Sequence, residues 1–308
     1  MQEILQTALE RARPATAKGR CASYIPELTK ADPHYLGISI RTTDGRSWHV
    51  GDYRVRFTIQ SISKIITLML AFETIGYDAI FSKVGMEPSG EAFNAFVDLD
   101  VTKAFPSNPM INAGALVVVN SLAVRTGFDE LLAFARKICA DDDIDVNEET
   151  YQSEMSNIAR NRSIAYLLQS KGIIDGDVEL TLALYTRMCS LNVTADSLAD
   201  LGALLANDGR EPITGQRFIS HRSAQIAKTI MLTCGMYDGS GEFAVKVGIP
   251  TKSGVGGGLL SVADNRMGIG IFGPALDKKG NSVAGQEILE YLSTELDLHL
   301  FGRNIQPY

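Results

Sequence analysis

Cysteine and histidine are scarce in this sequence, and neither residue type is clustered. The four cysteines (Cys21, Cys139, Cys189 and Cys234) form no C-x-x-C pair, and the four histidines form no H-E-x-x-H motif. Zinc sites and disulfide frameworks need closer spacing than this. The sequence therefore predicts free thiols in a reducing compartment and no bound metal.

Positive charge and long apolar runs are lacking as well. Lys and Arg total 29 against 36 Asp and Glu, so the formal net charge is −7 and the pI is about 5.2. A nucleic-acid binder needs a basic face, and a membrane helix needs ~18 consecutive apolar residues. Residues 1–20 also lack the apolar core of a secretion signal. We expect a cytoplasmic protein that binds neither nucleic acid nor membranes.

Two segments suggest a metal or nucleotide site but do not fit one. An EF-hand loop counted from Asp141 would need Gly and Glu where Val146 and Gln152 stand. The glycine cluster at 254–258 is followed by Leu259, where a dinucleotide fingerprint needs glycine, and then by a strand-like pattern. No cofactor is therefore expected. The glycines indicate either a hairpin or bulge, or a backbone N–H that closely approaches a substrate oxygen.

The order of apolar patterns predicts an α+β fold. Helical spacing, alternation and turn signals predict a helix at 2–17, strands at 36–40 and 47–50 around an Asp-Gly hairpin, a buried helix at 61–75, mostly helices over 77–233, strands at 243–249, 258–262 and 267–272, and a helix at 281–298. The simplest packing joins the strands of both ends in one antiparallel sheet, flanked by helices and a large helical insertion. We expect a single domain over 1–308, with a sheet lobe at about 1–60 and 234–308 and a helical lobe at about 61–233. The active site would lie in the cleft between the lobes.

An S-x-x-K motif opens the buried helix and is a candidate nucleophile and base. Ser61 and Lys64 are three residues apart, which places both side chains on one helix face. A free lysine has a pKa of ~10.4, but burial lowers that pKa and lets the amine accept the serine proton. Taken alone, the motif fits equally well a helix-capping serine followed by a surface lysine.

A second motif strengthens the catalytic interpretation. Lys252 and Ser253 precede Gly254 at the end of a strand-like run. Serine β-lactamases and penicillin-binding proteins pair S-x-x-K with a late K-T-G on a strand, in a sheet built from both chain ends. The combination predicts a serine acyl-transfer enzyme of β-lactamase-like fold without specifying its substrate.

Three segments resemble the bacterial serine-dependent glutaminases. They are F-T-I-Q-S-I-S-K at 57–64, N-P-M-I-N-A-G-A at 108–115 and K-S-G-V-G-G-G at 252–258, and the similarity spans nearly the whole chain. The sequence has no S-D-N at the position expected for a lactamase, which favours a glutaminase. The resemblance implies hydrolysis of the side-chain amide of L-glutamine to L-glutamate and ammonia, through a γ-glutamyl ester.

The resemblance also implies residue roles. Ser61 would be the nucleophile and Lys64 its base, with Tyr24 or Tyr237 sharing proton transfer. The N–H groups of Ser61 and Val255 would form the oxyanion hole. The residues implied to bind the two ends of the free amino acid are Asn112, Glu154, Asn161, Tyr185 and Tyr237. Because seven residues separate Glu154 from Asn161, two turns of one helix would present both to a single cleft.

Two other functions remain open at the level of sequence. One is a serine β-lactamase or D,D-peptidase of the same fold, whose substrates lie outside the cytoplasm. The other is a catalytically silent amino-acid sensor, which would have no need of a nucleophile and base. The resemblance further implies a homodimer or homotetramer.

Overall fold

The computed structural model describes residues 1–88 and 105–302. The helices are α1 (Gln2–Ala12), α2 (Ser63–Thr74), α3 (Tyr77–Phe81), α4 (Asn112–Ala123), α5 (Phe128–Ile138), α6 (Glu148–Ser156), α7 (Ala159–Ser170), α8 (Val178–Cys189), α9 (Ala195–Ala206), α10 (His221–Cys234), α11 (Ser240–Lys246) and α12 (Val283–Glu295). The strands are β1 (Gly37–Thr42), β2 (Ser47–Gly51), β3 (Phe57–Thr58), β4 (Asn192–Val193), β5 (Thr251–Ser253), β6 (Gly258–Ala263) and β7 (Met267–Phe272). The part of the predicted helical stretch at 89–104 lies outside the described residues.

Strands from both ends of the chain form one antiparallel sheet, as the sequence predicts. The strand order is β2-β1-β7-β6-β5, and β1 pairs with β7 in a register that sets Ile38 opposite Ile271. Both predicted turns are present, with left-handed backbone at Gly45 (φ 86°) between β1 and β2 and at Asn265 (φ 58°) between β6 and β7. The α+β fold class is thereby confirmed.

Successive side chains along each strand point to opposite faces of the sheet, and each face packs against a different layer of helices. In β1, Ile38 and Ile40 pack in a core with α1 and α12, whereas Arg41 points to α9 and donates from Nε to Asp200 at 2.5 Å. In β7, a Cβ at Gly268 would lie 2.1 Å from the backbone nitrogen of Ala203. Glycine is required there because α9 lies directly on the strand.

The predicted strand at 243–249 is wrong. Phe243 to Lys246 belong to α11, and the strand that carries Lys252 and Ser253 begins only at Thr251. Apolar residues at 243, 245, 247 and 249 resemble strand alternation, but Phe243 and Val247 are buried at helical spacing while Val245 is 80% exposed. The pattern therefore combines a helix face with an exposed valine.

No helix among residues 1–88 and 105–302 is long and apolar enough to cross a membrane. The longest helix within these described residues, α10, spans 14 residues and ends at Cys234.

Candidate active site

Ser61 lies in a tight turn between β3 and α2. Gln60, the preceding residue, has a φ of 50°, and Gln60–Ile62 form a 3₁₀ turn before α2 begins at Ser63. A left-handed conformation at a non-glycine residue costs about 1–3 kcal/mol and persists only where the surroundings hold it. Here β3 anchors the chain on β4, and Ile59 donates to the carbonyl of Leu191 at 2.8 Å. The turn sets Ser61 at the wall of a pocket.

Lys64 is buried in the first turn of α2, and only 2% of its surface is exposed. Its Nζ donates to the carbonyl of Met110 at 2.9 Å and to Oδ1 of Asn112 at 2.8 Å. Burial lowers the pKa of Lys64 to about 8, although the charge of Glu154 acts in the opposite direction. A lysine with this pKa is partly neutral near neutral pH and can accept a proton.

The 108–115 motif holds the two acceptors of Lys64 in place. The side chain of Asn108 accepts from the N–H groups of Met110 (2.9 Å) and Ile111 (3.2 Å). A Cβ at Gly114 would lie 2.0 Å from the carbonyl oxygen of Asn108, so only glycine allows this turn to fold back on α4. The motif therefore brings a backbone carbonyl and the Asn112 amide to one ammonium group.

Asn112 joins three helices at the pocket. Its Nδ2 donates to Oδ1 of Asn161 on α7 at 3.0 Å, and the hydroxyl of Tyr185 on α8 donates to its Oδ1 at 3.3 Å. Three of the residues implied for substrate binding are thus connected by hydrogen bonds.

Glu154 brings a buried carboxylate to the same pocket. It is 9% exposed, the side chain of Gln60 lies nearby, and its Oε2 is buried with no hydrogen-bond partner among the described residues. Desolvation raises the pKa of Glu154 to about 7, while the Gln60 amide and the charge of Lys64 lower it. An unpaired buried carboxylate oxygen is costly unless a ligand supplies a donor.

Glu154 and Asn161 line one pocket but do not share a helix. Glu154 ends α6 and Asn161 begins α7, and the chain breaks helical geometry at Asn157. The expectation of two turns of a single helix is therefore wrong. The break aims the first turn of α7, with Arg160, at the pocket, which one continuous helix would not do.

Tyr237 is the side chain that faces the Ser61 hydroxyl. Its φ is 54°, and its buried phenol lies close enough to the hydroxyls of Ser61 and Ser253 and to the backbone of Val255 for these groups to influence its pKa. Desolvation raises the pKa of Tyr237 above its ordinary value, and these three contacts lower it in part. The phenol therefore stays protonated near neutral pH.

Lys252 is a second buried lysine behind Tyr237. It is fully buried, and its Nζ lies 4.7 Å from the centroid of the Tyr237 ring and donates to the carbonyls of Gly235 (3.3 Å) and Ser253 (2.6 Å). Desolvation and the charge of Lys64 lower the pKa of Lys252 well below its usual value. The K-S-G motif thus places a buried lysine against the ring of Tyr237.

The glycine cluster lets two backbone segments approach each other. A Cβ at Gly254 would lie 2.6 Å from the carbonyl oxygen of Ile59, and one at Gly256 would lie 2.3 Å from that of Thr58. Val255 stands between these glycines and Ser61 follows the facing segment. The cluster also forms the hairpin loop between β5 and β6, with a φ of 99° at Gly257, so the hairpin interpretation is confirmed. The approach of a backbone N–H to a substrate oxygen stays a prediction.

The pocket itself has a volume of about 90 Å³. It is lined by Tyr24, Ile25, Gln60, Ser61, Asn112, Glu154, Asn157, Ile158, Arg160, Asn161, Tyr185 and Cys189. Lys64, Tyr237 and Val255 are not among these lining residues. Tyr24 is 55% exposed as a residue, yet desolvation and the charges of Tyr237 and Glu154 raise the pKa of its phenol well above the ordinary value.

Sequence reasoning missed four of the lining residues that carry polar or thiol groups. These are Gln60, Asn157, Arg160 and Cys189. The position of Gln60 inside the 57–64 motif is a signal that could have identified it, and Arg160 is adjacent to Asn161. Cys189 has no such signal, because a buried thiol at helical spacing is typical of any core helix.

Comparison with known proteins connects this geometry to one family. The family model Glutaminase matches residues 19–301. Glutaminases of Clostridium botulinum (strain Hall) and Fusobacterium nucleatum are each 52% identical over 305 residues, which cover 98% of this chain and 100% of each relative.

Solved structures agree with the sequence relatives. A probable glutaminase from Bacillus subtilis complexed with 6-diazo-5-oxo-L-norleucine superposes with a TM-score of 0.89 at 36% identity, covering 97% of both chains. The glutamate form of Mglu gives a TM-score of 0.91 at 37% identity, covering 98% of this chain and 70% of that one. Because both the sequence and the fold match along nearly its full length, the chain belongs to the glutaminase family.

Proposed function

We propose that this enzyme hydrolyses the side-chain amide of L-glutamine to L-glutamate and ammonia, with Ser61 acylated on the way. The observation that carries the proposal is the unpaired, buried Oε2 of Glu154, in a pocket that Ser61 also lines. An α-ammonium group supplies the donor that this oxygen lacks. The amides of Asn112 and Asn161 and the hydroxyl of Tyr185 are suited to the α-carboxylate. The ligands named for two related structures, glutamate and 6-diazo-5-oxo-L-norleucine, support the same substrate class.

Acylation begins at the Ser61 hydroxyl. Neutral Lys64 acts as the base, and the phenol of Tyr237, which faces Ser61, carries the proton between serine, lysine and leaving group. Ser61 Oγ bonds to the γ-carbon, the C–N bond breaks, and the nitrogen leaves as ammonia with the serine proton. The N–H groups of Ser61 and Val255 stabilise the oxyanion, and one such donor contributes about 10²–10³ in rate.

Deacylation repeats these steps with water. Water gives up a proton to the same base, its oxygen bonds to the γ-carbon, and the ester C–O bond breaks to restore the Ser61 hydroxyl. The exposed Tyr24 at the pocket mouth shares proton transfer or covers the bound substrate.

Ammonia release from L-glutamine by the parent and by Ser61→Ala tests the proposal. We expect turnover to fall by about 10³-fold or more in Ser61→Ala. The matched control is Ser163→Ala, an exposed serine of α7, which should keep parental turnover.

L-asparagine and a chromogenic cephalosporin distinguish the alternatives. Turnover of the cephalosporin alone would indicate a lactamase. Equal binding of glutamine by the parent and by Ser61→Ala, with no turnover of any substrate, would indicate a sensor and contradict the proposal.

The proposal includes a cytoplasmic location and a homodimeric or homotetrameric state, as the resemblance implies. Sedimentation of the purified protein as a monomer at micromolar concentration would contradict the assembly, and recovery from a secreted fraction would contradict the location.

A further inference from the structure

A second, larger pocket lies beside the oxyanion donor and is rimmed by positive charge. Its volume is about 710 Å³. Val255 and Tyr24, both parts of the proposed site, line it together with the segments 18–23 and 276–280. Four cationic side chains reach its rim, on Lys18, Arg20, Lys278 and Lys279, against one carboxylate, on Asp277.

The carboxylate of Asp277 is committed to its own turn. Its Oδ1 accepts from the N–H groups of Lys279 (2.8 Å) and Asn281 (3.0 Å), and its Oδ2 accepts from Gln286 Nε2 (3.0 Å). Gly280 completes the turn with a φ of 92°. Asp277 therefore acts as the internal brace of a rigid turn that presents two lysines.

Two of the four cationic side chains pair with carboxylates, and two form no ion pair within the described residues. Lys18 pairs with Glu287 and Lys279 with Glu242, each at 3.4 Å. The exposed side chains of Arg20 and Lys278 make no ion pair or hydrogen bond with any residue in 1–88 or 105–302. The backbone of Arg20 is nevertheless fixed, since it exchanges hydrogen bonds with Leu276 at 3.1 and 2.9 Å. The pocket thus has free positive charge on a fixed backbone.

The turn at 276–280, which carries Lys278 and Lys279, packs against Val255 and Tyr237 of the proposed site. A Cβ at Gly280 would lie 3.4 Å from Val255 Cγ1 and 3.5 Å from Tyr237 Cε2. The phenol of Tyr237 lies near the Ser61 hydroxyl, and the N–H of Val255 is a proposed oxyanion donor. In the proposed acylation, the leaving nitrogen therefore lies near these two residues. If this nitrogen belongs to an amino acid, the Cα bonded to it carries a carboxylate, and the carboxylate carbon lies roughly 2.5 Å from the nitrogen. The ammonia released from glutamine has no carboxylate, so glutamine makes no use of the positive charge at the rim of this pocket.

We infer that the basic pocket binds the carboxylate of an amino acid joined through its amino group to the γ-carbonyl, and that γ-glutamyl amino acids are therefore substrates. The inference rests on the proposed function. Ser61 Oγ bonds to the γ-carbon, the C–N bond breaks, and the amino acid leaves with the serine proton on its amine. Water then cleaves the ester to give L-glutamate.

A matched pair of substrates isolates the contribution of the carboxylate. γ-L-Glutamylglycine and γ-L-glutamylethylamide have the same secondary amide and differ only by a carboxylate in place of a methyl group. We expect the parent enzyme to favour the glycine compound in kcat/KM. Added salt should narrow this preference, since exposed charges are screened over ~8 Å at physiological ionic strength.

The variant Arg20→Gln/Lys278→Gln removes the two uncommitted charges. We expect it to reduce the preference for γ-L-glutamylglycine over the ethylamide by about five- to tenfold, while glutamine turnover stays at the parental value. The control Lys83→Gln/Arg125→Gln removes two charges that contact Asp175 and Thr74 instead, and it should leave the preference unchanged.

The outcomes separate the inference from the proposed function. Glutamine turnover without cleavage of γ-L-glutamylglycine would overturn the inference alone, as would equal cleavage of the two amides or a preference unaffected by Arg20→Gln/Lys278→Gln. Selective cleavage of γ-L-glutamylglycine without glutamine turnover would overturn the proposed substrate and uphold the pocket. No turnover of any of the three would overturn both.

Discussion

Burial acts in opposite directions on the charges around Ser61. It lowers the pKa of Lys64 to about 8 and raises that of Glu154 to about 7, because in each case the charged form loses solvation. The proposed catalysis needs the neutral form of Lys64 and the charged form of Glu154. In the proposed complex the α-ammonium of the substrate stabilises the charged glutamate, and Lys64 donates a hydrogen bond to the Asn112 amide.

The pH dependence of kcat/KM follows from these two groups. Glu154 ionises as the pH rises through about 7, and Lys64 loses its proton as the pH rises through about 8. Both changes favour activity, so kcat/KM for L-glutamine should rise steeply below pH 7, less steeply to pH 8, and then level off. Initial rates across pH 5.5–9 measure this. A profile that falls between pH 7 and 8 would contradict the assignments.

Removing the Glu154 charge should take away one of the two inflections. Glu154→Gln should lower kcat/KM by about 30-fold or more, mainly through KM, because a buried charge pair with the substrate is lost. The inflection near pH 7 should disappear and the one near pH 8 should remain. Glu149→Gln, on the exposed side of the same helix, is the control and should keep both.

At the scale of elements, the site depends on backbone segments that pack without side chains between them. The turn at 254–258 lies on the chain that leads to Ser61, and α9 lies on β7. At each place a glycine meets a carbonyl oxygen or amide nitrogen of the facing segment. A backbone atom in a sheet or turn cannot move aside as the end of a flexible side chain can.

Gly256→Ala should separate the two segments of the proposed oxyanion hole. The new Cβ would lie 2.3 Å from the Thr58 carbonyl oxygen, so the turn must shift and carry Val255 away from Ser61. We expect a loss of about 1–3 kcal/mol in the free energy of unfolding and of about 10²-fold in kcat.

The matched control is Gly241→Ala within α11, where a Cβ meets nothing within 4 Å. It should stabilise the protein by about 0.5–1 kcal/mol through helix propensity and leave kcat unchanged. Urea titration and steady-state kinetics measure both variants. Full activity in Gly256→Ala would show that the Val255 position does not depend on the glycine.

At the scale of the whole molecule, two apolar cores share one sheet. Leu259 of β6 points to the core with α1 and α12, and Leu260 points to the core that extends through α2, α4 and α8. Because both cores include side chains of β6, unfolding of either core would expose one face of that strand. The single domain expected from the sequence, with its sheet and helical lobes, is a prediction that unfolding can test.

We expect the two lobes to unfold together. Trp48 is the only tryptophan and lies on β2, so its fluorescence follows the sheet lobe, whereas far-UV circular dichroism follows mainly the helices. The urea midpoints of the two signals should coincide. Separate midpoints would show two independent folding units and contradict a single domain.

Much of this architecture could be predicted from local patterns. The two hairpin turns, β6, β7 and the buried start of α2 follow from residue types over short windows. The helix α11 could not, because its alternating apolar residues fit a strand until the burial of Phe243 and Val247 is known. The 3₁₀ turn before α2 was also missed, since nothing local forces Gln60 into a left-handed conformation.

The sequence by itself determined which chemistry is available: a serine and a lysine at the start of a buried helix, a second lysine before a glycine cluster, and an asparagine motif between them. Only the tertiary structure decided how these groups behave. It placed Tyr237 rather than Tyr24 against Ser61, it delivered Glu154 and Asn161 from two helices, and it set the basic pocket beside Val255. The reason is physical. Residue type sets which charges and hydrogen-bonding groups exist, whereas desolvation and close packing depend on segments far apart in the chain.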